Sequence, residues 1–192
     1  MDLEQIIQGC LQGDRISQKN LFDRFSGKML AVCSRYARHR MEAEDLLQDG
    51  FIKVYSNLDQ YKFEGPFEQW IRRIMINNAI KNCHRKSFQN EYFAGDDIPE
   101  MTEEPDILSS LAEIELMKII NELPDGYRMV FNLYAIEGYS HKEISESLNI
   151  EESTSRSQLV KARKVLQEKL LKYQIPFLKD IFKKIAGEPR FS

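Results

Sequence analysis

The sequence predicts an all-α protein with two helical domains, and three observations support this fold class. Apolar residues recur at three- and four-residue steps on both sides of residues 89–112, as they do in amphipathic helices. No stretch of the sequence has the strict alternation or the Asn-Gly turn that is typical of a β-hairpin. The chain has 192 residues, which is enough for two small domains with a hydrophobic core each.

An acidic segment separates the two halves. Residues 89–112 contain seven Asp or Glu residues, no Lys or Arg, and the helix breakers Pro99 and Pro105, so they predict an acidic flexible linker. Residues 1–88 carry 14 Lys or Arg against 11 Asp or Glu, so a net charge of −3 is compatible with a basic first half. We therefore expect domains at residues 1–88 and 113–172, followed by a C-terminal amphipathic extension at residues 173–192.

The helical pattern can be divided into elements by its breaks and caps. In the first domain we predict helices over Leu3–Gln12, Ser17–His39, Ala43–Leu58 and Phe67–Ser87. In the second we predict helices over Ile114–Leu123, Asp125–Glu137, Ser140–Leu148 and Glu151–Lys172. Ser140 and Glu143 have the spacing of a capping box, in which each side chain bonds the other's backbone amide. The last two helices, joined by a short turn, predict a helix-turn-helix.

Composition argues against several classes of protein. No apolar run approaches the roughly 18 residues of a membrane span, and the N-terminus lacks a signal-peptide pattern, so we expect a cytoplasmic protein without membrane insertion. Cys10, Cys33 and Cys83 are widely spaced, and the histidines are scattered, so we expect no metal site and no cofactor. We predict no catalytic residues and no small-molecule substrate, because the sequence has neither a Gly-rich phosphate loop nor clustered carboxylates.

The final predicted helix has a basic outer face. An apolar stripe of Leu159, Ala162, Leu166 and Leu170 should face the core. Outward-facing residues near the helix start suit contacts with bases in the major groove: Arg156, Ser157 and Val160. Thr154 and Lys161 suit contacts with the phosphate backbone, and Arg163 lies on the same basic face as a further DNA-binding candidate. A solvated helical face is the alternative explanation of this pattern.

A second basic segment covers Phe67 to Lys86, with an aromatic loop before it. Trp70, Ile74 and Ile80 are expected to pack inward. Successive four-residue steps predict a ridge that suits a nucleic-acid backbone: Arg73, Asn77, Lys81 and Arg85. In the preceding loop, Tyr61, Lys62 and Phe63 are candidates for holding an unstacked base, although such aromatic residues are equally typical of a core.

The third predicted helix has an acidic and amide-bearing face. Asp45, Gln48 and Asp49 share this face by their three- and four-residue spacing. Such a face repels DNA and suits a basic protein surface, but a solvated helix has the same pattern. The residues alone leave these two possibilities open.

Three segments, taken in order, resemble a known family. Ala43–Phe51, Phe67–Arg85 and Tyr139–Leu166 are together similar to bacterial RNA polymerase sigma factors of the extracytoplasmic-function class of the sigma-70 family. The resemblance implies that the first domain is sigma region 2 and the second is sigma region 4. It also implies that Asp45, Gln48 and Asp49 dock on the clamp helices of the largest subunit of core RNA polymerase, and that region 4 meets the polymerase flap.

The same resemblance assigns promoter contacts. It implies that the loop from Tyr61 to Pro66 and the following helix melt and read the minus-ten element, including capture of a flipped base. The helix residues with this implied role are Asn77, Asn78, Lys81, Asn82 and Arg85. It further implies that Arg156, Ser157 and Val160 read the minus-thirty-five element, that the acidic linker extends toward the RNA path of the polymerase, and that an anti-sigma factor is a partner.

Two positions depart from the family pattern. Ser155 stands where an apolar residue is usual, and Gln158 stands where Arg is frequent, so less positive charge faces upstream DNA. We therefore expect weak promoter binding by the isolated protein and useful affinity only when polymerase tethers both domains to one DNA.

Two other function classes were weighed against this one. An ordinary helix-turn-helix regulator, acting without replacing the housekeeping sigma factor, would not need the face formed by Asp45, Gln48 and Asp49. A nucleic-acid-processing enzyme lacks a credible catalytic site in this sequence.

Overall fold

The computed structural model describes residues 2–90 and 111–172, and side chains at residues 2–84 and 116–170. The predicted C-terminal extension, residues 173–192, and most of the predicted linker, residues 91–110, lie outside this described part. The described residues form helices and turns without a strand, which confirms the all-α prediction. The chain divides between Ser87 and Phe88 into two compact units.

The first unit is a helical bundle. Its helices are α1 (Leu3–Leu11), α2 (Arg15–Ser34), α3 (Arg40–Ser56) and α4 (Phe67–Asn90), with a 3-10 turn at Leu58–Gln60. Side chains cap the first three helices: Asp2 forms a capping box with Gln5, Asp14 accepts from the Ser17 amide at 2.9 Å, and His39 Nδ1 accepts from the Glu42 amide at 3.2 Å.

These caps explain where the observed helices differ from the predicted ones. Helix α2 begins at Arg15, two residues before the predicted start, because Asp14 is its N-cap. It ends at Ser34 rather than His39, because His39 instead caps the start of α3. Helix α4 continues to Asn90, three residues beyond its predicted end and into the predicted linker.

The core of the first unit comes mainly from α2, α3 and α4. The buried apolar residues of α2 and α3 are the following: Leu21, Phe25, Met29, Val32, Cys33, Leu46, Leu47, Phe51 and Val54. On α4 the prediction was partly wrong: Ile80 is buried, but Trp70 and Ile74 are only half-buried. Ile71, Met75, Ile76 and Ala79 are buried instead. Trp70 and Ile74 precede the exposed Arg73 and Asn77 by three residues, so they lie toward the outer side of α4.

The second unit contains α5 (Leu111–Asn121), α6 (Asp125–Phe131), α7 (His141–Leu148) and α8 (Glu152–Lys172). The predicted helix Asp125–Glu137 is divided, because it changes after Phe131 to a π-helical segment at Asn132–Ile136. Apolar periodicity does not distinguish the two forms over so short a segment. Arg128, which is 5% exposed, joins α5 to α6 by donating to the Asn121 carbonyl at 2.9 Å and to Asp125 at 3.0 Å.

Helices α7 and α8 form the predicted helix-turn-helix. The capping box is confirmed: the Ser140 amide donates to Glu143 Oε2 at 2.8 Å, and the Glu143 amide donates to Ser140 Oγ at 3.3 Å. Asn149 ends α7 in the left-handed conformation, with φ of 51°, which Asn adopts more readily than most residues. All four predicted core residues of α8 are buried: Leu159, Ala162, Leu166 and Leu170.

None of the helices in residues 2–90 and 111–172 has the length and apolar character to cross a bilayer.

Candidate functional site

The predicted acidic face is present on α3. Asp45, Gln48 and Asp49 are exposed, whereas their neighbours Leu46 and Leu47 are buried in the core. The three polar side chains therefore lie on the outer side of the bundle, where a partner can contact them.

Two apolar side chains extend this face, and sequence reasoning missed them. Met41 is 72% exposed and Ile52 is 62% exposed, so both side chains present apolar surface to the solvent. Met41 precedes Asp45 by four residues and Ile52 follows Gln48 by four, so both lie on the same side of α3. Their spacing could have identified these two residues from the sequence, because it places both on the polar stripe of α3 rather than on its core stripe.

The aromatic loop packs onto the start of α4. The Tyr61 ring centroid is 4.8 Å from that of Phe67, 5.5 Å from that of Trp70 and 4.9 Å from that of Phe63. The Tyr61 hydroxyl donates to the Gly65 carbonyl at 2.8 Å, which closes the loop. Of the three residues predicted to hold an unstacked base, Tyr61 is thus half-buried, while Lys62 and Phe63 are exposed.

Phe63 has a strained backbone at the tip of this loop. Its φ is 58°, a left-handed conformation that is rare for a bulky residue. Its side chain is nevertheless 50% exposed, so burial of the ring does not explain the strain. Such strain is concentrated at binding sites in proteins, and the exposed ring is available for stacking.

The outer face of α4 carries only part of the predicted set. Arg73, Asn77 and Lys81 are exposed at successive four-residue steps, as predicted. The Arg85 side chain lies outside the described residues. Asn78 was predicted to contact DNA, but it is 5% exposed, and its amide is bonded to α3.

Asn82 is also less exposed than its predicted DNA contact requires. It is half-buried, and its Nδ2 donates to Glu42 Oε1 at 3.1 Å. Asn78 and Asn82 follow Ile71 and Met75 at steps of three and four residues, so they belong to the inward stripe of α4. This periodicity was the signal that could have separated them from Asn77.

The N-terminal half of α8 presents the predicted basic face. Arg156, Ser157, Val160 and Lys161 are exposed, and Val160 is 65% exposed despite being apolar. The Arg156 guanidinium forms an ion pair with Glu152, one turn earlier in the helix. Thr154 is half-buried, and its carbonyl accepts from Ser157 Oγ at 3.0 Å.

Arg163 is less exposed than predicted. It is half-buried, and its guanidinium lies 5.8 Å from the centroid of the Tyr134 ring. This distance is within the range of a cation–π interaction, so Arg163 also contributes to packing between the π-helical segment and α8.

Ser155 and His141 join the two helices of the helix-turn-helix. Ser155 is fully buried, and its Oγ lies 2.9 Å from His141 Nδ1. The His141 ring stacks on Tyr134 with a centroid distance of 4.6 Å. Burial lowers the pKa of His141, and the nearby Arg156 lowers it further. Ser155, a departure from the family pattern, thus bonds the start of α7 to α8.

These surfaces are suited to binding macromolecules. One exposed face is acidic with apolar ends, and two exposed faces combine basic, amide and apolar groups. In the part of the chain that the structure describes, no group of three or more His, Cys, Asp or Glu residues is placed to hold a metal ion.

Comparisons with known proteins assign the family. Residues 21–88 match the sequence model of Sigma-70 region 2, and residues 113–166 match that of Sigma-70, region 4. The chain belongs to the sigma-70 family. Sigma factors are transcription initiation factors rather than catalysts.

Similar proteins place this sigma factor in the extracytoplasmic-function class. The ECF RNA polymerase sigma-E factor of Haemophilus influenzae is 27% identical over 180 residues, covering 87% of this chain and 94% of that protein. The ECF RNA polymerase sigma factor SigW of Bacillus subtilis is 27% identical over 184 residues, covering 88% of this chain and 97% of SigW.

A solved structure supports the fold. The sigma factor RpoE of Bartonella quintana, solved in complex with the anti-sigma factor NepR, is 23% identical to this chain. It aligns with a TM-score of 0.54, covering 80% of this chain and 96% of that one.

Proposed function

We propose that this sigma factor binds core RNA polymerase through α3 and directs transcription from specific promoters through α4 and α8, without catalysis of its own. The observation that carries the proposal is the exposed acidic face of α3 in a chain that also presents two DNA-compatible faces. An ordinary helix-turn-helix regulator needs the face on α8 but has no use for the acidic face.

The polymerase-docking face consists of Asp45, Gln48 and Asp49, with Met41 and Ile52 at its ends. The carboxylates attract a basic surface and set the orientation of the encounter, as complementary charges do at protein interfaces. The two exposed apolar side chains supply area that loses contact with water on docking. The expected partner is the basic surface of the clamp helices of the polymerase.

The minus-ten contacts come from the loop and the exposed face of α4. Phe63 and Tyr61 offer aromatic surface to an unstacked base, with Lys62 near the phosphate backbone. Arg73 and Lys81 add positive charge on the outer side of α4, and Asn77 between them can bond the edges of bases. Asn78 and Asn82 are not among the proposed DNA contacts, because their side-chain amides are hydrogen-bonded to the Leu46 carbonyl and the Glu42 carboxylate of α3.

The minus-thirty-five contacts come from the start of α8. Arg156 can bond two acceptors of a guanine, Ser157 can bond a base edge, and Val160 can contact a thymine methyl group. Lys161 and Thr154 suit phosphate contacts, which hold the register without reading sequence. To bind guanine, Arg156 must exchange its ion pair with Glu152 for the base.

Regulation by a separate protein is part of this proposal. RpoE of Bartonella quintana is described in complex with the anti-sigma factor NepR, and this chain has a similar fold. We propose that this chain likewise acts in the cytoplasm and is held inactive by an anti-sigma factor. Co-purification of the chain with the product of a neighbouring gene, released on activation, would support this regulation.

Run-off transcription tests the main proposal. The full chain is mixed with core polymerase and a library of genomic fragments, with core polymerase alone as control. We expect transcripts that begin at a small set of promoters and require both components. If no promoter-specific transcript is formed across the library, the sigma-factor assignment fails and the regulator is favoured.

A gel-shift assay tests whether tight promoter binding requires polymerase. The isolated chain should bind these promoters weakly at physiological salt, because each of its DNA faces is small and only polymerase holds both on one DNA. A tight promoter complex that forms without polymerase would contradict this prediction.

A further inference from the structure

Three contacts between α3 and α4 follow one antiparallel register. The α3 residues are spaced by four, and the α4 residues by three and then four, so each set lies along one side of its helix. The pairs, in order, are Gly50 with Met75, Leu46 with Asn78, and Glu42 with Asn82. We call these three pairs the α3–α4 clasp.

The first pair is a close approach of the two helices. A Cβ atom at position 50 would lie 2.1 Å from Met75 Sδ, so the Met75 side chain occupies the space that a larger residue would fill. Met75 is 1% exposed. This contact keeps α4 close to α3, but thioether packing is adaptable and does not by itself select one rotation of the helix.

The second pair is directional. Asn78 Nδ2 donates to the Leu46 carbonyl oxygen at 3.1 Å, and Asn78 Oδ1 accepts from the Lys53 ammonium. Both ends of a 5% exposed amide are therefore bonded to α3. An amide buried this far is costly unless it is satisfied, so rotating α4 away from this register loses both bonds.

The third pair fixes the far end of the interface. Asn82 Nδ2 donates to Glu42 Oε1 at 3.1 Å, while Glu42 Oε2 accepts from the Arg38 amide at 3.0 Å. Glu42 is 7% exposed and lies in the first turn of α3. The clasp thus extends from the middle of α3 to its beginning.

The residues next to the clasp belong to the two binding faces. Asp45 precedes Leu46 and is exposed on the docking face, and Asn77 precedes Asn78 and is exposed on the DNA face. Successive residues in a helix point about 100° apart, so fixing the direction of Asn78 also fixes the direction of Asn77. The rotation of α4 about its own axis therefore sets the directions of both Asn77 and Asn78.

We propose that Asn78 is a positioning residue, whose bonds to Leu46 and Lys53 hold the DNA face of α4 in one orientation relative to the polymerase-docking face of α3. Docking of α3 on polymerase then places Asn77 at a defined position for the melted strand. This inference rests on the proposed sigma-factor function, and it adds a residue that contacts neither polymerase nor DNA.

The main test replaces Asn78 by Leu in the full chain. Leu keeps the branched shape of Asn, with two methyl groups in place of the amide oxygen and nitrogen, and it removes both bonds. The helices therefore still pack while the directional restraint is lost. We expect affinity for core polymerase to stay within about twofold, and open-complex formation at saturating polymerase to slow by about tenfold. The assay uses permanganate reactivity on the strongest promoter found in the run-off screen.

A matched control separates positioning from stability. Val32 is buried in α2, outside the clasp and both binding faces, so Val32→Ala destabilises the same unit without changing the α3–α4 register. Urea unfolding establishes whether the two variants are equally destabilised. If Val32→Ala slows open-complex formation as much as Asn78→Leu does, at equal loss of stability, the positioning role is overturned.

Two further variants test the individual bonds. Asn78→Asp keeps an acceptor for Lys53 but removes the donor to Leu46, so an intermediate defect is expected. Lys53→Met removes the other bond by changing its α3 partner, Lys53, which is half-buried. This variant still tests the inference if Asn78→Leu fails to fold. Normal open-complex formation by Lys53→Met, together with no defect in Asn78→Asp, would overturn the inference.

The outcomes also separate this inference from the function on which it rests. If the unmodified chain supports no promoter-specific transcription, the sigma-factor proposal fails and the positioning role fails with it. If the unmodified chain is active and Asn78→Leu is equally active, only the positioning role is overturned.

Discussion

The two units hold their outward-facing helices by different means. In the first unit, α4 is joined to α3 through the buried amide of Asn78, the half-buried amide of Asn82 and the buried carboxylate of Glu42. In the second unit, α8 packs through an apolar stripe, with the Ser155–His141 contact as a polar addition near its start.

The proposed function accounts for this difference by the number of faces that each unit must align. In that proposal the first unit presents a docking face on α3 and a DNA face on α4, so the angle between the two helices matters for function. Directional hydrogen bonds restrict that angle more than apolar packing does. The second unit presents one DNA face on α8, and a well-packed apolar core is enough to support it.

The largest effect is expected from substitutions that disrupt the docking face of the first unit. Replacing Gln48 by Ala together with Asp49 by Lys should weaken binding to core polymerase by about 100-fold or more, because like charges then oppose each other at the interface. Both residues are exposed, so the fold should be unchanged. Competition for labelled core polymerase measures the loss.

Asp59→Lys is a suitable control for this double variant. Asp59 is also an exposed acid of the first unit, but it lies in the turn after α3 rather than on the docking face. Unchanged co-purification of the double variant with core polymerase would show that α3 is not the docking element.

The next effect is confined to promoter melting and concerns the loop of the first unit. Phe63→Gly removes the exposed ring, so open-complex formation should fall by about 5- to 150-fold, in line with 1–3 kcal/mol of stacking. It also relieves the strain at φ of 58°, so the free energy of unfolding should not decrease.

Phe63→Ala provides the comparison, because it loses the ring but retains the strained backbone. The two variants should share the melting defect and differ in stability. A melting rate equal to that of the unmodified chain in both variants would assign the ring no role in base capture.

A narrower effect is expected from the DNA face of the second unit. Arg156→Ala should reduce discrimination at one base position of the minus-thirty-five element by about 1–3 kcal/mol and leave polymerase binding intact. Transcription from promoters with single-base changes measures this discrimination. Lys164→Ala is the control, since Lys164 is an exposed basic residue further along α8. An equal loss on every promoter would instead identify Arg156 as a phosphate contact.

The smallest effect is a pH dependence of the second unit. Burial lowers the pKa of His141 below its usual value of 6.5, so the unfolded chain binds a proton more readily than the folded one does. The neutral ring therefore contributes stability above about pH 6.5, and this stability is lost as the pH falls. Urea unfolding of the second unit at about pH 7.5 and about pH 5.5 measures the change.

His141→Gln should reduce this pH dependence, because the titrating group is removed. If the variant keeps the full dependence on pH, carboxylates elsewhere in the unit are responsible instead.

Much of the fold could be predicted because its signals are local. The capping box of Ser140 and Glu143 lies within four residues, and the core stripe of α8 repeats within two turns. The acidic face of α3 was likewise visible from spacing alone. The error at Trp70 and Ile74 arose on α4, where buried amides interrupt the apolar period and blur the orientation of the helix.

Two helical units, a helix-turn-helix and the exposed acidic face of α3 could be predicted from the sequence alone, because apolar periodicity, caps and charge act between near neighbours in the chain. On α8 the exposure of Arg156, Ser157 and Val160 was predicted, but the half-burial of Thr154 and Arg163 was not. The tertiary structure supplied what holds Asn78 in the interior while the adjacent Asn77 is exposed. Periodicity along α4 distinguishes the two residues, but the bonding partner of Asn78 is the Leu46 carbonyl, 32 residues away in the chain. The Ser155–His141 contact spans 14 residues for the same reason: a buried polar group is placed by the partner that satisfies it.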